Sequence, residues 1–160
     1  MHALYPISGN PPTWGHADVM ARAARVFERL TWALAINPTK PYECPQDVRL
    51  EMMRDYVRHL GLENVTVAAY QGATVRFAEQ IGAGVIIKGL RNQMDLQAEM
   101  EQAFGNRGIN DRIETLVLFT QPRNGAISSS LIRELALLGE DIDDYVLPSV
   151  AQRLREYLPR

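Results

Sequence analysis

The sequence has a single cysteine, Cys44, so an internal disulfide and any metal site built from several cysteines are excluded. It also lacks a basic excess, because the net charge is -2 and the pI is about 5.9. Such a chain has no overall attraction to a polyanion, which argues against extended DNA or RNA as a partner. Small phosphorylated ligands remain open, because a few locally placed donors can bind them.

Long hydrophobic runs are missing as well, and the first segment, MHALYPI, has the composition of a strand. We therefore expect no signal peptide, no membrane span and a location in the reducing cytoplasm. With 160 residues, of which 46% are hydrophobic and 22% charged, the chain can bury one ordinary core. We expect a single domain over residues 1–160.

Short aliphatic runs alternate with longer amphipathic segments, and we interpret these as strands and helices respectively. The strands look buried on both faces, which predicts a doubly wound, Rossmann-like α/β fold. It would have a five-stranded parallel sheet, helices on both faces and a C-terminal helical segment. The predicted strands are Ala3–Ile7, Thr31–Asn37, Val65–Tyr70, Val85–Lys88 and Thr115–Phe119. The predicted helices are Thr13–Arg29, Pro45–Leu60, Thr74–Ile81, Met94–Arg107, Ser128–Leu137 and Pro148–Tyr157.

The loop after the first strand, SGNPPTWGH, is a candidate phosphate-binding element. In such a sheet, ligands bind outside the carboxyl ends of the strands, near the point where strand order reverses. Gly9, Pro11 and Pro12 force a tight turn before a helix, where free N–H groups and the helix dipole suit a phosphate. His16 lies three residues after Thr13 and could donate to the same anion. The alternative is a plain helix start capped by Thr13, since short Gly/Pro motifs recur by chance.

Lysine is scarce: of 17 basic residues, only Lys40 and Lys88 are lysines. Each lies at or just beyond the carboxyl end of a predicted strand, which directs both toward the expected ligand site. Arg91 follows Lys88 by three residues, so IIKGLR presents two cations and a glycine at the end of the fourth strand. A single loop lysine is usually only solvated. The coincidence of both lysines with the His16 loop favours a phosphate site.

Two carboxylates on the next predicted helix, Asp95 and Glu99, lie four residues apart. Either could accept hydrogen bonds from a ribose or a base, or could pair with an arginine such as Arg91. We favour a salt bridge for Asp95 and leave both interpretations open for Glu99.

A second anion site is predicted in NGAISSSLIRE, Asn124 to Glu134, where a glycine-containing loop leads to three serines at a helix start. Hydroxyls and free N–H groups at a helix N-terminus suit a phosphate. Capping by Ser128 needs only one serine, so the run suggests binding. A serine cluster without function is the alternative, because serines are common in loops.

Four segments together carry a family resemblance: YPISGNPPTWGH, NPTKP, IIKGLRNQMDLQAEME and ISSSLIRELALLGEDIDDYVLP. In order and spacing they resemble the bacterial phosphopantetheine adenylyltransferases, over nearly the whole chain. The T-x-G-H element marks a wider nucleotidyltransferase superfamily, whereas the KGLR and ISSS stretches are more specific. The resemblance implies adenylyl transfer from ATP to 4'-phosphopantetheine, giving dephospho-coenzyme A and pyrophosphate. It also implies Mg²⁺ held mainly by the ATP phosphates, and a homohexamer without nucleic-acid or membrane partners.

The resemblance further implies roles for individual residues. His16 would be catalytic and stabilise the transition state at the α-phosphate. The residues that would contact phosphopantetheine are Ser8, Lys40, Thr74 and Lys88. Those that would bind ATP are Ser8, Gly9, His16, Gly89, Leu90, Arg91, Glu99, Asn124, Gly125, Ala126, Ile127, Ser128, Ser129 and Ser130. No protein ligand to a metal is implied.

The chain departs from the family pattern in two places. The usual turn reads G-[TS]-F-D-P, whereas Ile7–Pro11 reads ISGNP and lacks the first glycine, the phenylalanine and the aspartate. Lys88 stands where the family normally has arginine; lysine keeps the charge but loses the bidentate fork. The same fold serves nicotinamide mononucleotide adenylyltransferases and cytidylyltransferases, and the GNPP turn is nearer to some of theirs. Another phosphorylated acceptor, or an inactive nucleotide-binding homologue, therefore stays open.

The chemistry of such a transfer depends on in-line positioning and charge neutralisation, and needs no nucleophilic side chain. The acceptor phosphate is already anionic near neutral pH, so we predict no general base. His16 would act as a hydrogen-bond donor or as a cation to the α-phosphate oxygens.

Overall fold

Strands and helices alternate along the chain in a computed structural model, which describes residues 1–158. The strands are β1 (His2–Ile7), β2 (Arg29–Ile36), β3 (Val65–Gln71), β4 (Val85–Leu90) and β5 (Glu114–Phe119). The helices are α1 (Trp14–Val26), α2 (Gln46–His59), α3 (Thr74–Gln80), α4 (Gln93–Ile109), α5 (Ser129–Leu137) and α6 (Pro148–Tyr157). One 3-10 turn, Pro122–Asn124, precedes α5.

The sheet places its strands in the order β3-β2-β1-β4-β5, and every neighbouring pair is parallel. The chain winds outward from β1 to β3 and then crosses back to β4, which lies on the other side of β1. The strand order therefore reverses between β1 and β4, and their carboxyl ends border the expected ligand crevice. The predicted doubly wound fold is confirmed.

Alternation along the strands divides the core between the two faces of the sheet. On one face, Tyr5 of β1 packs with Trp32 of β2 and with α1, α2 and α6. On the other face, Leu4 and Ile86 pack with α3. Helix α4 contacts β4 and β5 but contributes no buried residue. No helix within residues 1–158 is long and apolar enough to cross a membrane.

The outer strands correct one prediction. We expected every strand to be buried on both faces, but β5 has no buried residue and β3 has only Val65 and Tyr70. Both strands lie at the edges of the sheet, where helices cover them less completely than the central strands. Apolar composition alone does not distinguish a central strand from an edge strand.

Several predicted boundaries also shift. The first helix was expected to reach Arg29, but it ends at Val26 because Phe27 is extended. Arg29 instead begins β2, where it pairs with His2. Strand β4 continues past Lys88 to Leu90, and α4 continues past the predicted end to Ile109.

Candidate active site

A cleft of about 450 Å³ lies where the carboxyl ends of β1 and β4 meet. Most of the predicted site residues line it: Ser8, His16, Thr74, Lys88, Gly89, Arg91, Glu99, Ile127, Ser128, Ser129 and Ser130. The rest lie outside its lining: Gly9, Lys40, Leu90, Asn124, Gly125 and Ala126. Lys40 is exposed in the loop after β2, whereas Gly9, Leu90 and Asn124 are buried beside the cleft. The topology therefore brings together the three motifs that follow β1, follow β4 and precede α5.

His16 is held in a reciprocal cap at the start of α1. Thr13 is the N-cap, and its hydroxyl accepts from the His16 backbone N–H. In return, the Thr13 backbone N–H donates to Nδ1 of His16 at 3.1 Å. A backbone N–H can only donate, so Nδ1 must be the unprotonated nitrogen and the ring proton lies on Nε2. The capping role of Thr13 and a binding role for His16 are therefore compatible.

The electrostatics of the cleft keep this imidazole neutral. Burial, and secondarily the positive charge of Arg91, lower the pKa of His16 to about 4. The folded-state pKa lies below the ordinary value, so the ring is neutral at pH 7 and gains a proton only in acid. The sequence left open whether His16 acts as a neutral hydrogen-bond donor or as a cation. The lowered pKa supports the neutral donor.

The turn between β1 and α1 follows a path that needs glycine. Gly9 has φ of +54°, in the left-handed region that residues with a side chain rarely adopt. Phenylalanine, the usual family residue at this position, would be strained there. The departure at Gly9 and the shape of the turn are thus consistent with each other.

Carbonyl groups of this turn are held from behind by side chains of α2 and α5. Nη1 of Arg49 donates to the Ser8 carbonyl at 2.9 Å, and the Ser129 hydroxyl donates to the Pro11 carbonyl at 2.7 Å. Arg49 is only 2% exposed, and its guanidinium lies 3.8 Å from the centre of the Tyr42 ring. Sequence reasoning missed Arg49, although it has the helical spacing of the buried positions Met52, Met53 and Tyr56.

The opposite wall of the cleft contains Lys88 and two residues of α4. Nζ of Lys88 lies 2.7 Å from Oε2 of Glu99 and donates to Oε1 of Gln102 at 2.9 Å. Glu99 therefore pairs with Lys88 in this structure, and its predicted contact with ATP stays a prediction. Next to Lys88, a Cβ at Gly89 would lie 3.1 Å from Cγ2 of Val19, so α1 packs closely on this strand end.

Arg91 links the end of β4 to the serine loop. Its Nε and Nη2 donate to the carboxylate of Asp95 at 2.9 and 3.0 Å, which confirms the predicted salt bridge. The hydrogen bonds from Arg91 hold the pKa of Asp95 below its usual value. Its Nη1 donates to the Ile127 carbonyl at 3.0 Å. Arg91 therefore fixes the loop before α5 as well as adding positive charge to the cleft.

The three serines have different surroundings. Ser128 is the N-cap of α5 and accepts from the Leu131 N–H at 3.1 Å, as the capping interpretation predicts. Ser129 reaches the first turn, as described above. Ser130 is exposed at the mouth of the cleft. The run thus combines a cap, a tie to the first turn and a hydroxyl facing the cleft.

Comparison with known proteins identifies the family. Residues 8–135 match the family model described as cytidylyltransferase-like. A phosphopantetheine adenylyltransferase of Synechococcus sp. (strain JA-3-3Ab) is 42% identical over 160 residues, with 99% of both chains covered. That of Symbiobacterium thermophilum is 41% identical over 154 residues, covering 96% of this chain and 94% of its own. The chain belongs to the phosphopantetheine adenylyltransferase family. The resemblance read from the motifs is confirmed.

Phosphopantetheine adenylyltransferases share their fold with other nucleotidyltransferases, and one solved structure illustrates this. A proposed nicotinate-nucleotide adenylyltransferase from Vibrio parahaemolyticus superposes with a TM-score of 0.75 at 20% identity. The match covers 97% of this chain and 91% of that chain. At such low identity the likeness establishes the fold alone.

In this member of the phosphopantetheine adenylyltransferase family, four polar residues that were not predicted from the sequence also line the cleft: Tyr5, Tyr70, Gln102 and Thr120. The Tyr70 hydroxyl lies 2.7 Å from Oγ1 of Thr74, so it orients a predicted acceptor contact. The sequence carries a signal for two of these four residues. Tyr5 is polar within an otherwise aliphatic strand, and Gln102 follows Glu99 at a spacing that shares one helix face.

The described residues include no cluster of metal-binding side chains. Within residues 1–158, no group of three or more His, Cys, Asp or Glu side chains is placed to hold a metal ion. Near the cleft, Asp95 and Glu99 are each paired with a cation. Cys44 is buried, and burial raises the pKa of its thiol to about 11, which argues against a reactive thiolate.

Proposed function

We propose that this chain transfers the adenylyl group of ATP to 4'-phosphopantetheine, giving dephospho-coenzyme A and pyrophosphate. The observation that carries the proposal is the meeting of the His16 turn, Lys88 and the serine run in one cleft at the strand-order switch. Relatives of 36–42% identity over nearly their full length bear the name of this activity.

The reaction needs little covalent participation by the protein. A phosphate oxygen of the acceptor forms a bond to the α-phosphorus as the bond from that phosphorus to the bridging oxygen breaks. Pyrophosphate leaves with the electron pair. The acceptor phosphate is already anionic, so no general base is required. The Nε2–H of His16 donates to an α-phosphate oxygen and stabilises the charge that builds up there.

ATP is proposed to lie between the His16 turn, the end of β4 and the N-terminus of α5. The helix dipole and the Ser130 hydroxyl at that terminus suit phosphate oxygens. Mg²⁺ would bind mainly to the ATP phosphates and neutralise charge on the leaving pyrophosphate.

The acceptor is proposed to bind near Lys88, Thr74 and Ser8, which share the cleft. Lys88 pairs with Glu99, so the acceptor phosphate would have to displace that carboxylate. Lys40 lies in the exposed loop after β2. We propose that it approaches the acceptor phosphate when the substrate binds.

We further propose that the chain forms a homo-oligomer in the cytoplasm, a hexamer by family resemblance. Helix α4 and strand β5 together expose several large apolar side chains, more than a free surface usually carries. On α4 they are Met94, Leu96, Met100, Phe104 and Ile109, and on β5 they are Leu116, Val117 and Phe119. A second copy of the chain would cover them.

A panel of acceptors tests the reaction. Purified protein would be incubated with ATP, Mg²⁺ and either 4'-phosphopantetheine, nicotinamide mononucleotide or nicotinate mononucleotide, with pyrophosphate release and product mass measured. We expect pyrophosphate and dephospho-coenzyme A with 4'-phosphopantetheine only. Product from a mononucleotide alone would show a different acceptor, and no pyrophosphate with any acceptor would show an inactive homologue.

A further inference from the structure

Three residues outside the cleft lining form a closed triangle of contacts behind it. Nδ2 of Asn10 donates to Oε2 of Glu43. Nε of Arg133 lies 3.1 Å from Oε1 of the same carboxylate. Nη1 of Arg133 donates to the Asn10 backbone carbonyl. The carboxylate of Glu43 is thus held by two partners that also contact each other.

The triangle joins three segments that are distant in the sequence. Asn10 lies in the turn that leads into the His16 helix, and Arg133 lies on α5, which begins with the serine run. Glu43 lies between β2 and α2, three residues after Lys40. These are the turn and helix proposed to hold ATP and the loop that carries a proposed acceptor contact.

The surroundings leave this ion pair only partly exposed to solvent. Asn10 is 6% exposed, and the side chains of Arg133 and Glu43 are 23% and 37% exposed. Burial tends to raise the pKa of Glu43, but hydrogen bonds from Asn10 and the charge of Arg133 outweigh it and lower the pKa. Glu43 is therefore ionised at neutral pH, with a partly buried cation as its partner.

Before Glu43, the loop that contains Lys40 makes local hydrogen bonds, and its Tyr42 ring packs on the Arg49 guanidinium of α2. Asn37 accepts from the Thr39 N–H at 3.0 Å, and its own N–H donates to the Tyr42 hydroxyl at 3.3 Å. Glu43 is the loop residue whose side chain contacts both the His16 turn and α5. The distance from Lys40 to that anchor is three residues, so a loosened anchor loosens Lys40 too.

We infer that Glu43 is a positioning residue, which fixes the Lys40 loop against the nucleotide-holding turn and α5. The inference rests on the proposed function for the role of Lys40. It also explains Asn10, because the aspartate usual in the family would face an ionised Glu43 and repel it. Asn10 and Glu43 are thus a matched pair in this chain.

The first test compares Glu43→Gln with Glu51→Gln, a control that breaks an ion pair lying within α2. We expect Glu43→Gln to raise the KM for 4'-phosphopantetheine about tenfold and to change the KM for ATP less than about twofold. Added to Lys40→Ala, it should cause no further loss. An unchanged acceptor KM, or a full additional loss on top of Lys40→Ala, would overturn the positioning role.

The second test uses charge. Asn10→Asp places two carboxylates together and should impair acceptor binding more than Glu43→Gln does. The double variant Asn10→Asp with Glu43→Gln removes the repulsion and should recover most of that loss. A double variant no better than Asn10→Asp alone would contradict the matched pair.

A third test needs no substrate and so separates this inference from the proposed reaction. Amide hydrogen exchange in peptides that cover residues 37–45 should be faster in Glu43→Gln than in wild type, and unchanged in Glu51→Gln. If the wild type makes no dephospho-coenzyme A, the proposed function fails. The exchange measurement would still show whether Glu43 anchors the Lys40 loop. Equal exchange in Glu43→Gln and wild type would contradict the anchoring role of Glu43.

Discussion

The two walls of the cleft are built in different ways. On the His16 side, Arg49, Ser129 and Arg133 hold backbone carbonyls of the first turn. On the other side, Lys88 and Arg91 pair with carboxylates of α4, a helix without a single buried residue. The first wall is thus fixed by hydrogen bonds to its backbone. The second wall is held by ion pairs, which the proposed acceptor phosphate would replace.

This difference suggests a separate role for each wall in the proposed adenylyl transfer. His16, the proposed donor to the α-phosphate, would gain from a rigid support, because a preoriented donor needs no reorganisation during the reaction. Lys88, a proposed contact of the acceptor, would gain from partners that it can exchange. Changes on the first wall should therefore lower turnover or stability, and changes on the second wall should alter binding or assembly.

The largest effect is expected from His16→Ala. The loss of one oriented donor should lower kcat about a hundredfold while the affinity for ATP changes little. Steady-state kinetics together with ATP binding by calorimetry would measure the two quantities. His59→Ala is the matched control, because His59 is exposed and lies outside the cleft. Equal losses in turnover and ATP affinity would show that His16 only binds ATP.

Phe104→Glu tests whether the exposed face of α4 is covered in solution. Phe104 is 67% exposed, and a charge placed in an apolar contact between copies should weaken assembly about thirtyfold. Light scattering across a dilution series would measure this. Val26→Glu is the control, because Val26 is also an exposed apolar residue but lies at the end of α1. If both variants assemble like wild type, the α4 face is not an interface.

Arg49→Met tests the support of the first wall. Without the guanidinium, the Ser8 carbonyl loses its partner, which should lower the free energy of unfolding by about 1.5 kcal/mol. Denaturant unfolding would measure the change. The control is Arg54→Met, which removes the exposed ion pair between Arg54 and Glu51 on the same helix. Equal stability of the two variants would mean that Arg49 does not support the turn.

The smallest effect is expected from Lys88→Arg on the second wall. Arginine restores the residue usual in the family and its bidentate fork, so the KM for 4'-phosphopantetheine should fall about threefold. The KM for ATP and the unfolding midpoint should stay unchanged. A rise in the acceptor KM would show instead that the cleft has adapted to lysine through Gln102 and Glu99.

Much of the fold and site could be predicted because it depends on local signals. Strand-like runs separated by amphipathic helices indicate the doubly wound sheet, and Lys88 and Arg91 stand out as cations at a strand end. Each of these features is visible within a few residues of sequence. The same holds for Ser128, whose place before an apolar helix predicts its capping bond.

The remaining features depend on contacts between distant segments. Glu43 and Arg133 are ordinary charged residues until the fold brings them to Asn10. Likewise, β5 reads as a buried strand because its residues are apolar, and only its position at the sheet edge exposes them. Local pattern specifies which elements form, whereas the packing of those elements decides which side chains meet.

Transfer of the adenylyl group can be followed with labelled ATP. ATP labelled with phosphorus-32 at the α-phosphate would be incubated with Mg²⁺ and 4'-phosphopantetheine, in wild type and in His16→Ala. For adenylyl transfer to 4'-phosphopantetheine, we expect the label to move into dephospho-coenzyme A. The rate in His16→Ala should be lower by about a hundredfold. Label that stays in ATP or goes only to free AMP in the wild type would contradict adenylyl transfer to this acceptor.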